Sequence, residues 1–350
     1  MTVHSYAAFS TDAPLGPYAF EARALRPNDV QLEVLYCGVC HSDLHYVRND
    51  WGVTHYPVVP GHEIVGRVTA VGADVTRHKA GDLIAVGTLV DSCQHCDQCG
   101  KSHEQFCREG ATFTYGAPDR LSGELTTGGY AKQMVVREEF VLKMPEGLDP
   151  VRAAPILCAG VTNWTPLRQH KIGPGSRVGV VGMGGLGHMA IKLAVGLGAE
   201  VTVISRSKDK EADALGLGAH RLLVSSDTAA LETAASSLDL IIDTVPSAHE
   251  VAPYVSLLDV EGALVLVGYF GPLPDADSIP LIFGGKAISG SQVGGLADTQ
   301  ELLNFCAEKN ILPECEIIRI DQINEAFDRL EKGDVRYRFV IDMASLDAAE

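Results

Sequence analysis

Between residues 178 and 197 a run of valines breaks at Gly182, Gly184 and Gly187 and resumes as a helical pattern. No other stretch limits the fold as tightly. A G-x-G-x-x-G run is weak alone in a chain with 36 glycines, but after a strand and before a helix it marks a dinucleotide-binding βαβ unit. The first glycine makes the tight turn, the second lets the backbone approach a pyrophosphate, and the third lets helix and strand pack closely. Gly185 and Leu186 complete the turn, and the helix N-terminal N–H groups face the phosphates. Leu186, Ala190, Leu193, Ala194 and Leu197 fall on one face of the predicted helix. Further apolar runs at 200–205, 239–243 and 263–268 alternate with helical segments, so the expectation is a doubly wound parallel sheet.

The next strand bears on which dinucleotide is bound. An NAD-binding chain usually places Asp or Glu about 20 residues beyond the turn, to accept from the ribose 2′-OH. Here EVTVIS ends at Ser205 and continues Arg206, Ser207, Lys208, Asp209, Lys210. A hydroxyl followed by cations repels nothing from a 2′-phosphate, and Arg206, Ser207 and Lys210 can hydrogen-bond one. A solvated charged turn is the plainer account, but the missing carboxylate favours NADP(H).

At 350 residues the chain is long enough for two domains, and 46% hydrophobic residues supply a large core. The region up to residue 145 reads as β-rich, with strands at 30–36, 64–71 and 83–86. The tail reads as one amphipathic helix at 298–310 and a closing strand at 338–341. Lys and Arg number 28 against 45 Asp and Glu, a net charge of −17. That balance excludes nucleic acid or an anionic membrane held by bulk charge. No apolar run reaches the length of a bilayer span, and Asp12, Pro14, Gly16 and Pro17 interrupt the N-terminus where a secretion signal needs apolar residues.

The nine cysteines include Cys93, Cys96, Cys99 and Cys107, spaced C-x2-C-x2-C-x7-C. Four thiolates close a tetrahedron around zinc and leave no open position, which predicts a structural site. A ferredoxin-type cluster would have a last gap of three and a following proline, and this run has neither. An odd cysteine count with this clustering suits a reducing, cytoplasmic compartment better than a disulfide framework.

Cys40 in CGVCHSDLH, His62 and Glu63 in PGHE, and Cys158 in LCAG stand far apart in the chain. From the residues alone they form only a loose Cys2His candidate, the kind of set that leaves a catalytic zinc one open position. Taken with VPGHEIVGRV, LCAGVTNW, VGMGGLGHMAIKLA, the four-Cys run and the closing YRFVID, the chain resembles the zinc-dependent medium-chain alcohol dehydrogenases. Within them it is similar to the cinnamyl alcohol dehydrogenase group and its bacterial NADPH aldehyde reductase relatives. The likeness runs along essentially the whole chain in the expected order.

The resemblance implies an α/β architecture with a GroES-like β-rich catalytic domain, residues 1–148 and 290–350, carrying a zinc lobe at 91–108. A Rossmann NADP-binding domain, 149–289, is inserted between the two parts. It implies two zinc ions per chain, with Cys40, His62 and Cys158 on the catalytic one, Glu63 beside it, and Asp43 fixing the His62 tautomer. Ser42 would pass the alcohol proton through the cofactor ribose to His45. Ser42, Thr162, Thr244, Gly268, Ser291 and Val293 would line the cofactor with the glycine turn, and Ser205 with the cations after it would hold the 2′-phosphate. Trp51, Phe113 and Trp164 would wall a pocket suited to apolar or aryl groups. The implied activity interconverts small primary alcohols and aldehydes, mainly by aldehyde reduction, in a cytoplasmic homodimer. The alternatives are an NADPH enone or quinone reductase, whose typical members lack both zinc sites, and a non-catalytic zinc- and NADP-binding sensor, which has no use for a proton relay.

Overall fold

The computed structural model describes residues 2–273 and 277–348. The chain forms two compact units, Met1–Cys158 with Gly294–Glu350, and Ala159–Val293. The changeovers lie C-terminal to the expected 148/149 and 289/290. The first moves because the turn Ala154–Leu157 packs on the strands Asp29–Val39, Ile64–Val71 and Leu83–Val86 of the first unit, which keeps Cys158 there.

The first unit is built on a seven-stranded sheet among the described residues. Its long central strand, Asp29–Val39, pairs antiparallel with Ile64–Val71 on one side and with Arg338–Asp342 on the other, Cys37 lying opposite both Ile64 and Ile341. The end of the chain thus completes the sheet begun by its first forty residues. Inward side chains such as Leu32, Val34, Ile64, Ile84, Phe140, Phe339 and Ile341 are buried and form one core. The tail holds two helices rather than the single one expected. Leu296–Lys309 covers the predicted segment, and Ile323–Lys332 buries Ile323, Ala326, Phe327 and Leu330 at helical spacing.

The second unit is a six-stranded parallel sheet among the described residues. In space its strands run Arg221–Val224, Glu200–Ser205, Arg177–Val181, Leu238–Asp243, Leu258–Leu266, Ala287–Gly290. Numbered along the chain this is 3-2-1-4-5-6, the doubly wound order with its switch point between the first and fourth strands. The helix Gly187–Gly196 after the glycine turn is buried more widely than one stripe. Ala190, Leu193 and Ala194 are covered, and so are Met189 and Ile191. The reason is that helix Ala159–Gln169 packs against it as well as the sheet. Leu186 and Leu197, expected on the buried face, are only half-buried.

The glycine turn is tight where the fingerprint requires it. Gly182 has φ +86°, which side chains rarely adopt. A Cβ on Gly187 would lie 2.2 Å from the Gly182 carbonyl oxygen, whereas a Cβ on Gly184 would meet nothing within 4 Å. Gly187→Ala should therefore destabilise the cofactor-free protein by about 1–3 kcal/mol, seen as a lower thermal midpoint. Gly184→Ala should leave the midpoint unchanged and weaken NADPH binding, read by fluorescence titration.

Candidate active site

Cys40 caps the short helix His41–Val47, whose apolar residues Leu44 and Val47 are buried. His62 and Glu63 directly precede the strand Ile64–Val71, and Cys158 follows the turn Ala154–Leu157. The fold brings all four together: their ligand atoms lie within 4.8 Å of one another, and all are buried. Cys40 Sγ and Cys158 Sγ stand 3.8 Å apart. Two sulfurs on a tetrahedron with Zn–S bonds of about 2.3 Å are separated by roughly 3.8 Å, so the spacing fits zinc. His62 adds a second sign, because its Nε2 is buried and has no hydrogen-bond partner in the protein, while its Nδ1 lies 3.1 Å from Asp43 Oδ1. An imidazole held through one nitrogen with the other bare is the arrangement of a metal ligand.

Asp43 is completely buried. Besides His62, it accepts from the Cys40 N–H at 2.9 Å, the Gly61 N–H at 3.1 Å and the Tyr130 hydroxyl at 3.4 Å. The hydrogen bond from Cys158 pulls the Cys40 thiol well below its usual range against the effect of burial, with His62 and Arg338 adding to it. The Cys158 thiol is pushed up by the same contact.

Glu63 sits under different control. One oxygen pairs with Arg338, which is 3% exposed, and the other is buried without a partner. Burial raises the Glu63 carboxyl to about 7, with Arg338 opposing the rise. Sequence reasoning quoted the closing YRFVID without giving Arg338 a part. It also overlooked Tyr115, whose ring lies 5.8 Å from His62, and Tyr130. Only a fold that places residue 338 beside residue 63 reveals the ion pair.

Ser42 and His45 lie three residues apart on the helix His41–Val47 and are both half-buried. His45 Nδ1 is 2.7 Å from Asp50 Oδ2, which leaves Nε2 as the free nitrogen. Trp51 is 40% exposed, with its ring 5.7 Å from His45 and 6.4 Å from Tyr46. Tyr46 in turn meets Tyr115 at 5.1 Å, so a row of aromatic rings leads from Trp51 to His62. Phe113 is also exposed. Trp164, on the helix Ala159–Gln169, is 1% exposed, with Arg168 over its ring.

The four lobe cysteines likewise have their sulfurs within 4.8 Å of one another. Backbone N–H groups of Cys93, Cys96 and Arg108 each donate to a neighbouring thiol at 3.4 Å. Such bonds lower the Cys96 thiol to about 6. His95 points outward, its side chain 71% exposed.

In the second unit nearly every expected cofactor residue lies at the carboxyl end of a parallel strand, where such sheets bind ligands. Gly182 follows Val181, Ser205 ends its strand, Thr244 follows Asp243, Gly268 comes two residues after Leu266, and Ser291 follows Gly290. Thr244 Oγ1 donates to the Val181 carbonyl at 2.8 Å. The Ser291 hydroxyl is buried without a partner, and the Val293 carbonyl accepts from Thr165 at 2.7 Å. Thr162 is buried in the helix Ala159–Gln169. One turn of that helix also supplies Asn163, unsuspected from sequence, which donates to the Leu186 carbonyl at 3.0 Å and steadies the glycine turn. Arg206 and Lys210 are exposed, and Ser207 donates to Asp209 at 2.8 Å.

Residues 26–146 match the family model for the alcohol dehydrogenase GroES-like domain, and 185–308 match that for zinc-binding dehydrogenases. The chain belongs to the zinc-dependent medium-chain alcohol dehydrogenases. It is 48% identical to the NADP-dependent alcohol dehydrogenase C 1 of Mycolicibacterium smegmatis, over 99% of both chains. Among solved structures it is similar to a cinnamyl alcohol dehydrogenase of Sorghum bicolor, with a TM-score of 0.95, 47% identity and 98% of each chain covered. It is also similar to the CAD of Helicobacter pylori complexed with NADP(H), with a TM-score of 0.92, 37% identity, and 98% and 99% covered. The enzyme is an NADP-dependent alcohol dehydrogenase of the cinnamyl alcohol dehydrogenase type. Cys40, His62 and Cys158 form its catalytic zinc site, and Cys93, Cys96, Cys99 and Cys107 its structural one. No helix among the described residues of this alcohol dehydrogenase is long and apolar enough to cross a membrane.

Removing one partner of a buried ion pair costs about 3–5 kcal/mol, because the other charge is stranded. Arg338→Leu should lower the stability of this alcohol dehydrogenase by that amount in urea unfolding. Adding Glu63→Gln to the same chain should recover most of the loss.

Proposed function

We propose that the enzyme acts chiefly as an NADPH-dependent reductase of small primary aldehydes carrying apolar or aryl groups. The row of rings from Trp51 through Tyr46 and Tyr115 to His62 carries this reading, since such a wall favours apolar substituents and disfavours polyols. The cations after Ser205 favour the phosphorylated cofactor. When bound, zinc supplies Lewis acidity toward the substrate oxygen and NADPH supplies the hydride.

The protein's own groups do the rest. The Asp43 carboxylate keeps the His62 proton on Nδ1 and so leaves the Nε2 lone pair for the metal. Arg338 balances Glu63, so the buried carboxylate adds no uncompensated charge beside the thiolates. The substrate oxygen needs a proton on reduction, and Ser42 and His45, on one helix with Asp50 orienting His45 through Nδ1, would hold and pass it. Ser205, Arg206, Ser207 and Lys210 would hold the 2′-phosphate. For that, Ser207 must exchange its bond to Asp209 for one to the phosphate.

We extend the proposal to a cytoplasmic homodimer. The strand Ala287–Gly290 ends the parallel sheet, and beside it the helix Ile279–Gly284 exposes Ile279, Ile282 and Phe283 at 59%, 73% and 86%. An open strand edge with an apolar neighbour is a pairing surface. None of the nine cysteines is paired in a disulfide, which suits a reducing compartment.

Turnover of cinnamaldehyde should be at least about tenfold faster with NADPH than with NADH, the worth of one charge-assisted hydrogen bond. It should fall to background when a chelator strips the metal, and equal rates with both cofactors would overturn the proposal. Ser42→Ala should lower kcat by roughly 10²- to 10⁴-fold while NADPH binding is unchanged. Phe283→Glu should convert a dimer to a monomer in analytical ultracentrifugation.

A further inference from the structure

A carboxylate–imidazole pair lies at the carboxyl end of the Leu238–Asp243 strand, outside the machinery described above. Asp243 is completely buried. Its Oδ1 accepts from the Val245 N–H at 3.1 Å, and its Oδ2 lies 2.7 Å from His249 Nε2. His249 Nδ1 lies 2.8 Å from the Ser247 carbonyl oxygen, so an acceptor faces each ring nitrogen. The imidazole packs against Phe270 at 4.8 Å between ring centroids and against Tyr254 at 5.9 Å.

This pair ties together two loops that carry expected cofactor residues. The Asp243 carbonyl accepts from the N–H groups of Val267 and Gly268 at 3.0 and 3.1 Å. A Cβ on Gly268 would lie 2.5 Å from the Val245 carbonyl oxygen. On the other side Thr244 abuts the glycine turn: its Oγ1 would be 2.9 and 3.2 Å from a Cβ on Gly182 and Gly187. Asp243 thus links Val245, Gly268 and the His249 ring, and Phe270, two residues beyond Gly268, packs on that ring.

The two halves of a doubly wound sheet take different halves of a dinucleotide. The half containing Arg177–Val181, Glu200–Ser205 and Arg221–Val224 carries the glycine turn and the 2′-phosphate cations. The half containing Asp243, Gly268 and Ser291 is left for the nicotinamide nucleotide. We propose that the Asp243–His249 pair, with Phe270 on its ring, positions the nicotinamide end of NADP(H). It is a positioning element: it fixes the Thr244–Val245 and Gly268 backbone against which the nicotinamide rests, and it touches no reacting atom. The proposal rests on the cofactor reading above.

Adenosine 2′,5′-bisphosphate separates the two ends of the crevice, because it has the adenosine and 2′-phosphate but no nicotinamide. In His249→Ala, KM for NADPH should rise and kcat fall, each by about tenfold, the scale of a small misplacement of a reacting group. Inhibition by the bisphosphate should be unchanged. His249→Gln keeps one N–H toward Asp243 and should restore most of both parameters, and Asp243→Asn should show the same split as the alanine variant. If the bisphosphate and NADPH weaken together, the pair merely holds the unit together and the proposal is overturned; unchanged kinetics overturns it too. Failure of the unaltered enzyme to bind the bisphosphate would instead remove the cofactor reading, and this proposal with it.

Discussion

The active site depends on one carboxylate sealed from water. Asp43 collects the Cys40 amide, the Gly61 amide, the His62 ring and the Tyr130 hydroxyl, and a buried anion requires that many donors. In meeting this need the fold draws the Cys40 helix cap and the His62 loop to one point. Two of the three catalytic ligands are thus placed by one group that does not touch the metal. Cys158 is brought in separately, by the packing of the Ala154–Leu157 turn on the central strands.

Charge is handled in the same local way across the chain. The molecule is strongly acidic, yet each acid at its functional points has a side-chain partner: Glu63 takes Arg338, Asp50 takes His45 and Asp243 takes His249. Each pair lies where a neighbouring group must be held at a set angle. The exposed cations Arg206 and Lys210 are the exception, left open on the surface in a turn suited to a phosphate.

Much of this was legible in the sequence, for a physical reason. The glycine turn and the four-Cys run are local patterns, in which steric and coordination demands act within a few residues. The strands Ile64–Val71 and Leu83–Val86 stand where their β-branched runs begin and end. What sequence reasoning missed is non-local: Arg338 beside Glu63 is 275 positions away, and Tyr115, Tyr130 and Asn163 reach their partners only through the fold. For Trp164 the sequence left both a pocket wall and a core open, because a large aromatic suits either, and its burial bears on the choice only through the fold. The helix Ile323–Lys332 is a different kind of miss, since its apolar spacing was visible in I-N-E-A-F-D-R-L.

The pairing of Arg338–Asp342 with the strand Asp29–Val39 also sets an order of events at the ribosome. The first unit lacks both a sheet neighbour and the counter-charge for Glu63 until the strand Arg338–Asp342 emerges, whereas the described strands of the intervening unit all lie within Ala159–Val293. The N-terminal segment therefore completes its sheet only after the intervening unit has been made. A ribosome that stalled short of residue 338 would leave a finished nucleotide-binding unit attached to an unfinished metal centre.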